Sequence, residues 1–312
     1  MSGKNKQVAV LMGGWSAERE VSLIGGASVV KALIEAGYRV SVVDVHRDLD
    51  ALLKALTPRP DVVFNVLHGR GGEDGHIQGV LEFLHIPYTH SGLRASAVAM
   101  DKALTKQILA NAGVRSPRGV VLSHKDWLSL GDDHHPLPPP YIVKPVDEGS
   151  TFGVRLVHPG ERPPLAADEW VFGPAALVEE FVPGRELTVG VIGDQSLAVT
   201  EIVFGGEIYD YGAKYTAGGS HHVIPADLPA EVYDEALRLA LVAHRTLGCR
   251  GVSRSDFRYH SDIPGPEGLY FLEINNQPGM TPVSLVPEQA RHCGISYCDL
   301  VSWMVENAAC QL

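Results

Sequence analysis

Short apolar runs alternate with helix-like segments through the N-terminal third of the chain, and this alternation limits the fold more than any other feature. The run "QVAVLMGG" (7–14) ends in two glycines, and "SLIGGASVVKALIEAG" (22–37) then places apolar residues near helical spacing. The strand pattern returns in "YRVSVVDV" (38–45) and "DVVFNVLHGRGGEDG" (61–75). These units predict an α/β fold with a parallel sheet covered by helices, and with ligands at the carboxyl ends of the strands.

Composition excludes several classes of partner. The 312 residues include 26 Lys plus Arg and 37 Asp plus Glu, a formal net charge of −11, and a field of that sign repels nucleic acid and anionic membranes. No apolar stretch reaches the ~20 residues of a spanning helix, and the N-terminal run is too brief for a signal-peptide core. Four cysteines without a C-x-x-C pair fit reduced thiols. We expect a cytoplasmic protein.

The remaining two thirds of the chain have a different organisation. A proline-rich stretch, "DDHHPLPPP" (132–140), is followed by "YIVKPVDEGSTFGVRLV" (141–157), in which a glycine-containing loop lies between two strands. Further on, "EEFVPGRELTVGVI" (179–192) predicts a strand, a Pro-Gly turn and a strand that enters another domain. We therefore expect a second and a third unit, both rich in β structure.

Two strands near the C-terminus predict a magnesium site. In "GVSRSDFRY" (251–259), Arg254 and Asp256 share one face, and in "FLEINNQPGMT" (271–281), Glu273 and Asn275 do the same. An antiparallel hairpin would gather Asp256, Glu273 and Asn275, whose hard oxygen donors suit Mg²⁺. Solvated faces of edge strands are the alternative, which the bend at Pro278 disfavours.

A second motif predicts phosphate binding. In "KPVDEGSTFGV" (144–154), Lys144 supplies a point charge, and Gly149, Ser150 and Thr151 supply backbone and hydroxyl donors. The motif is not a Walker A loop, and by itself it could be an ordinary turn. Together with Lys102 and the predicted Mg²⁺ site, it favours a nucleoside triphosphate.

Two loops follow strands of the parallel sheet, where a ligand is expected. Glu18 in "GGWSAEREVSL" (13–23) could stabilise a helix dipole or pair with the ammonium group of a substrate. His68 in "LHGRGGEDG" (67–75) ends a strand within a glycine-rich loop, where structural and functional roles are both open.

Seven motifs, in order over most of the chain, resemble those of D-alanine:D-alanine ligases of the ATP-grasp superfamily. They are the two loops above, "MDK" (100–102), "KPVDEGSTFGV", "YDYGAKY" (209–215), "SRSDF" (253–257) and "EINNQPGMTPVSLVP" (273–287). The resemblance implies a three-domain ATP-grasp fold, with an N-terminal substrate domain (1–100), a central domain (101–185) and a C-terminal domain (186–312). It also implies a homodimer, and formation of D-alanyl-D-alanine for peptidoglycan precursors through a D-alanyl phosphate.

The resemblance assigns a nucleotide site. ATP phosphates would contact Lys102, Lys144 and Lys214. Adenine would lie against Glu179 and the backbone of Phe181 and Val182, and the ribose against Glu186. Two Mg²⁺ ions, for which Mn²⁺ could substitute, would be held by the residues of the predicted hairpin: Asp256, Glu273 and Asn275.

The resemblance also assigns an amino-acid site. Glu18 would hold the ammonium of the first D-alanine near His68, and Ser284 with the Leu285 N–H would hold the carboxylate of the second. Arg254 and the Gly279 N–H would stabilise the tetrahedral oxyanion. Tyr215, with Ser150 and Glu18, would connect the lid, the phosphate loop and the substrate.

The polar segment "AKYTAGGSHH" (213–222) has the composition of such a lid. Adjacent side chains diverge, so we expect no metal role for His221 and His222. A ligase that uses D-lactate or another acceptor would share the phosphate and metal residues, although Tyr215 favours an amine acceptor. A pseudoenzyme that only binds nucleotide should lack one of the four hairpin residues, and all four are present.

Overall fold

A computed structural model describes residues 5–130, 134–149, 153–162, 170–209 and 219–310. Within them the strands form three sheets. The N-terminal sheet is parallel, as predicted, with β1 (Gln7–Gly13) between β2 (Arg39–Val45) and β3 (Val62–Asn65). Its buried strands end in the glycine-rich loops that contain Glu18 and His68, which therefore lie at one edge of the sheet.

Helices cover both faces of this sheet. One face packs against α1 (Arg19–Glu35), and the other against α2 (Leu49–Ala55) and α3 (His76–Phe83). The helices α4 (Leu93–Met100) and α5 (Lys102–Ala110) follow, with Asp101 between them. The Asp101 carboxylate accepts a hydrogen bond from the Leu104 N–H at 2.8 Å and so caps α5 at Lys102.

The second sheet is antiparallel and has the strand order β4-β7-β5-β6. Its strands are β4 (Gly119–Ser123), β5 (Tyr141–Pro145), β6 (Arg155–Val157) and β7 (Ala175–Glu180), and α6 (His124–Leu130) packs against it. The predicted strands on either side of the phosphate loop are β5 and β6. The buried Trp127, Tyr141 and Phe172 form much of its small core.

The third sheet is antiparallel with the order β10-β9-β8-β11-β12. Its strands are β8 (Arg185–Ile192), β9 (Gln195–Phe204), β10 (Ser220–Val223), β11 (Val252–Tyr259) and β12 (Leu269–Asn275). The hairpin predicted from the alternating charges is confirmed, because β11 and β12 pair with Arg254 opposite Asn275 and Asp256 opposite Glu273. This register makes the four residues two adjacent cross-strand pairs.

Three C-terminal helices pack against the sheets: α7 (Ala230–Thr246), α8 (Leu285–His292) and α9 (Tyr297–Glu306). Helix α7 covers the third sheet, in a core that also takes Leu109 from α5. In contrast, Val286 of α8 and Met304 of α9 pack in the core of the N-terminal sheet. The predicted domain boundaries remain a prediction. Among the described residues, no helix is long and apolar enough to cross a membrane.

Candidate active site

Two adjoining cavities lie where the three sheets meet. The first is lined by strands of both antiparallel sheets and the second by loops of the N-terminal sheet and by the segment that follows β12. Lys102, Arg254, Glu273 and Leu285 line both cavities. A ligand in the first cavity would therefore face a ligand in the second across these side chains.

A buried group of lysines and one glutamate forms a wall of the first cavity. Glu179 on β7 is 3 % exposed, and its carboxylate bonds Lys144 Nζ at 2.6 Å and also Lys106 Nζ. Burial raises the pKa of Glu179 less than the two ammonium groups lower it, so that its pKa lies below the usual range. Burial lowers the pKa of Lys106 to about 7, against the opposing effect of Glu179. Lys144 and Glu179 of this group line the cavity, as does Lys102, and the ammonium groups of the two lysines suit phosphate.

Lys102 stands one helical turn before Lys106 on α5. Its ammonium group donates to the Glu148 carbonyl oxygen and lies 3.6 Å from Glu273 Oε2. The side chain is therefore held between the phosphate loop and β12, and it reaches both cavities.

A buried arginine, Arg258, fixes the segment 181–184 that joins the two antiparallel sheets. Arg258 on β11 donates from Nε to the Val182 carbonyl oxygen at 3.0 Å and from Nη1 to Glu186 at 3.0 Å. Its guanidinium carbon lies 5.6 Å from the centroid of the Phe181 ring. The backbone at 181–182, which lines the first cavity, is thus held in place by one side chain.

Arg254 and Asp256 form a fork-to-fork ion pair on one face of β11. The Nε and Nη2 atoms of Arg254 donate to the two carboxylate oxygens at 2.8 and 2.7 Å, and Thr188 Oγ1 donates to Asp256 at 2.6 Å. Although burial opposes it, the Asp256 charge raises the pKa of Arg254. The guanidinium is therefore permanently charged and fixed in orientation.

Two carboxylates and an amide could hold a cation at the hairpin. Asp256 and Glu273 are cross-strand partners, and Asn275 follows on the same face of β12 as Glu273. The Asn275 Oδ1 accepts a hydrogen bond from the Gln277 N–H at 2.8 Å, which fixes the amide. In the described part of the chain, no group of three or more His, Cys, Asp or Glu side chains could hold a metal alone. Mg²⁺ needs fewer protein ligands than such a group provides, since waters and phosphates complete its coordination.

Glu18, His68 and Glu73 form the acidic corner of the second cavity. Burial lowers the pKa of His68, so the ring is neutral at pH 7, although the charge of Glu18 opposes this. Burial, with the nearby Glu18 charge, raises the pKa of Glu73 to about 8. A methyl group at Gly149 would lie 3.2 Å from Glu18 Oε2 and 3.4 Å from Glu73 Oε1, so the phosphate loop approaches this corner closely.

The opposite wall of the second cavity is the start of α8. Ser284 precedes the helix, and its Oγ accepts a hydrogen bond from the Thr281 N–H at 3.1 Å. A methyl group added at Gly279 would lie only 3.1 Å from the same Oγ, so the Gly279 backbone passes close to Ser284. The first N–H groups of α8 have no partner within the helix, and they are typical anion donors.

The structure brings together every predicted site residue that it describes. Those in the first cavity are Lys102, Lys144, Glu179, Phe181, Val182, Glu186, Arg254, Asp256 and Glu273. Those in the second are Glu18, His68, Asn275, Gly279, Ser284 and Leu285. Ser150, Lys214 and Tyr215 lie outside the described residues. The predicted roles of all these residues remain predictions.

Sequence reasoning missed three residues that shape the site. Lys106 lies four residues after Lys102 on α5, and Arg258 lies two residues after Asp256 on β11, so helical and strand spacing could have indicated both. Gln277 donates to Leu67 O and accepts from Asn65 Nδ2 at 2.7 Å, which joins the hairpin to the N-terminal sheet. No local pattern indicates a contact between positions so distant in sequence.

Comparisons with known proteins agree with this architecture. The family model described as "D-ala D-ala ligase C-terminus" matches residues 108–306, and "D-ala D-ala ligase N-terminus" matches residues 47–91. The chain is 54 % identical over 311 residues to the D-alanine–D-alanine ligase of Chelativorans sp. (strain BNC1), covering 98 % of this chain and 99 % of the relative. It is 54 % identical over 309 residues to that of Agrobacterium fabrum (strain C58 / ATCC 33970), covering 98 % of each.

Solved structures agree as well. The crystal structure of the D-alanine–D-alanine ligase from Bacillus anthracis superposes with a TM-score of 0.80 at 28 % identity, over 97 % of each chain. The same enzyme complexed with ATP gives 0.77 at 26 % identity, again over 97 % of each chain. The fold and its cleft between two antiparallel sheets define an ATP-grasp ligase. Within that class, the chain belongs to the D-alanine–D-alanine ligase family.

Proposed function

We propose that this protein joins two D-alanine molecules with consumption of ATP, and so supplies D-alanyl-D-alanine for peptidoglycan precursors. One observation carries the proposal: a cavity lined by Lys102 and Lys144 adjoins a second cavity that contains Glu18, and Lys102, Arg254 and Glu273 line both. Such a site can hold a triphosphate next to a carboxylate that must be activated. The family membership established above favours D-alanine as the substrate.

Formation of the peptide bond requires that the carboxylate of the first D-alanine be activated. Because a free carboxylate is a poor acylating agent, the carboxylate oxygen of the first D-alanine attacks the γ-phosphorus, and the bond to ADP breaks. The amine of the second D-alanine then attacks the carbonyl carbon of the D-alanyl phosphate. Inorganic phosphate leaves, and the amine loses a proton. Reactants held side by side in a site that excludes water avoid hydrolysis of the acyl phosphate.

The residues on the nucleotide side have distinct roles in this proposal. Lys102 and Lys144 bind the phosphates, with Lys214 from the segment outside the described residues. Phe181 and Val182 face the adenine. Glu186, which Arg258 orients, binds the ribose. Both oxygens of Glu179 already bond an ammonium group, so Glu179 would accept a hydrogen bond from adenine only through a second lone pair of one oxygen.

Asp256, Glu273 and Asn275 would hold Mg²⁺, or Mn²⁺ in its place. Their hard oxygen donors fit the ion, and the adjoining cavity would bring the phosphates that complete its coordination. Bound Mg²⁺ would neutralise charge on the β- and γ-phosphates. The fixed pair of Arg254 with Asp256 keeps one charged donor at the border between the cavities.

On the amino-acid side, Glu18 binds the first ammonium beside the neutral His68. Ser284 and the Leu285 N–H bind the second carboxylate. Arg254 and the Gly279 N–H stabilise the oxyanion that develops when the amine attacks. Tyr215 and Ser150 contribute to the same step in this proposal. We also propose three domains divided near residues 100 and 185, a homodimer and a cytoplasmic location, all on the resemblance.

A comparison of acceptors tests the function. ATP-dependent phosphate release is measured with D-alanine alone and with D-alanine plus D-lactate at neutral pH. We expect turnover with D-alanine alone and D-alanyl-D-alanine as the product. A requirement for D-lactate would instead identify an ester-forming ligase, and binding of ATP without turnover would identify a pseudoenzyme.

A further inference from the structure

The two adjacent histidines of β10 have different surroundings. His221 is exposed, whereas His222 is half-buried and lines the second cavity together with Gly279, Ser284 and Leu285. β10 pairs with β9 at the edge of the third sheet, with His222 opposite Ile202. Because side chains alternate along a strand, only His222 faces the site.

The partner of His222 lies in the first turns of α8. His222 Nδ1 is 2.6 Å from Glu288 Oε2, and the two side chains are 23 % and 25 % exposed. The Glu288 N–H donates to Ser284 O at 2.9 Å, so Glu288 stands one turn after the residue proposed to bind the acceptor carboxylate. A negative charge therefore stands beside the proposed anion site.

Glu288 cannot leave this position by a shift of the helix. The adjacent Gln289 is fully buried, accepts the Gly190 N–H at 2.6 Å, and donates to Thr188 O and Thr200 Oγ1 at 3.1 and 3.0 Å. These bonds fix α8 on β8 and β9. The carboxylate must be compensated where it stands.

We propose that His222 is a positioning residue for the acceptor amino acid. Through the contact between its Nδ1 and Glu288 Oε2, it holds the carboxylate away from the start of α8. The positive end of the helix then remains available to the carboxylate of the incoming second D-alanine. His222 acts through Glu288 and α8, and it sets the affinity for the acceptor without taking part in activation of the donor.

This inference rests on the proposed function, so its test separates the two half-reactions. Donor activation is measured with hydroxylamine, which attacks the D-alanyl phosphate in place of the acceptor and gives D-alanyl hydroxamate and phosphate. Dipeptide formation at varied D-alanine gives the KM for the acceptor. The variants are His222→Ala, the double variant His222→Ala with Glu288→Gln, and the matched control His221→Ala on the exposed face.

For His222→Ala we expect the acceptor KM to rise about fivefold or more, as for loss of one partly buried hydrogen bond. Hydroxamate formation and the KM for ATP should stay within about twofold of the wild type. Adding Glu288→Gln should lower the acceptor KM again, since the uncompensated charge is gone. His221→Ala should behave as the wild type does.

Three results would overturn the inference. They are an unchanged acceptor KM in His222→Ala, an equal fall of hydroxamate and dipeptide formation, and a double variant no better than His222→Ala. The last two would show that the pair only supports the fold. A wild-type protein that forms hydroxamate but no dipeptide would instead refute the proposed function, which keeps the two failures distinct.

Discussion

Replacement of Lys106 by methionine should weaken the folded state strongly, because Lys106 lies in the most deeply buried charge group of the site. The side chains of Lys106 and Glu179 are 9 % and 4 % exposed. Methionine keeps the unbranched shape and removes the ammonium group. Glu179 then keeps Lys144 at 2.6 Å as its remaining ammonium partner among the described residues.

The expected loss of folding stability in Lys106→Met follows from this arrangement. Removing one partner of a buried ion pair costs about 3–5 kcal/mol when the other charge is left without compensation. Lys144 still compensates part of the Glu179 charge, so we expect the lower end, about 3 kcal/mol. For a chain of 312 residues, with an unfolding entropy of about 2.1 cal/mol/K per residue, such a loss lowers Tm by about 5 °C.

Thermal unfolding of the Lys106→Met variant measures this directly. Lys125→Met is the matched control, because Lys125 is exposed on α6 and its removal should shift Tm by less than about 2 °C. Mg-ATP should also stabilise Lys106→Met less than the wild type, since Glu179 then neutralises Lys144 more completely. Equal Tm values for Lys106→Met and the wild type would refute the reasoning on the buried group of Lys106, Lys144 and Glu179.

Three further predictions concern the rest of the chain. Glu273→Gln should abolish turnover without lowering Tm in the absence of ligand; activity near that of the wild type would refute the metal assignment. Gly184→Ala should lower the free energy of unfolding by more than about 2 kcal/mol, because φ is +111° and the added methyl would lie 2.2 Å from the Tyr259 carbonyl oxygen. Gly113→Ala is the control: φ is +76° but nothing crowds the methyl, so urea unfolding should show a loss of only about 1 kcal/mol. Burial lowers the pKa of His90 to about 3 and of His244 to about 4. Only the unfolded chain takes up these protons below pH 6.5, so stability should fall there by about 1.4 kcal/mol per pH unit for each histidine, and a Tm independent of pH from 6.5 to 4.5 would contradict this.

Alternation and spacing were sufficient to predict which polar side chains share one face of a single element. The β11–β12 hairpin could be predicted because charged residues recur with the period of a strand, and a turn-like segment separates the two runs. The parallel N-terminal sheet followed from alternating units. The run "IPYT" (86–89) after α3 also has the composition of a strand, but in the structure its Tyr88 forms only isolated bridges, with Val63 and with Ala309.

Contacts between distant elements could not be predicted in this way. Periodicity shows that one face of α8 is apolar, but not that Val286 packs in the core of the N-terminal sheet. It places Lys106 beside Lys102, but not Glu179 beside both Lys106 and Lys144. The sequence predicts no metal role for His222, and its partner Glu288 is distant in sequence, so only the fold reveals the pair.

The transfer of a carboxylate oxygen to phosphate tests the central claim most directly. D-Alanine labelled with ¹⁸O in its carboxylate is incubated with the wild-type protein, ATP and Mg²⁺, and the released phosphate is analysed by mass spectrometry. If a D-alanyl phosphate forms and a second D-alanine displaces phosphate from it, each phosphate carries one labelled oxygen and matches one D-alanyl-D-alanine. Unlabelled phosphate would show that water hydrolyses ATP directly. Labelled phosphate without dipeptide would show that water, and not a second D-alanine, displaces phosphate from the D-alanyl phosphate, and either result would contradict the claim.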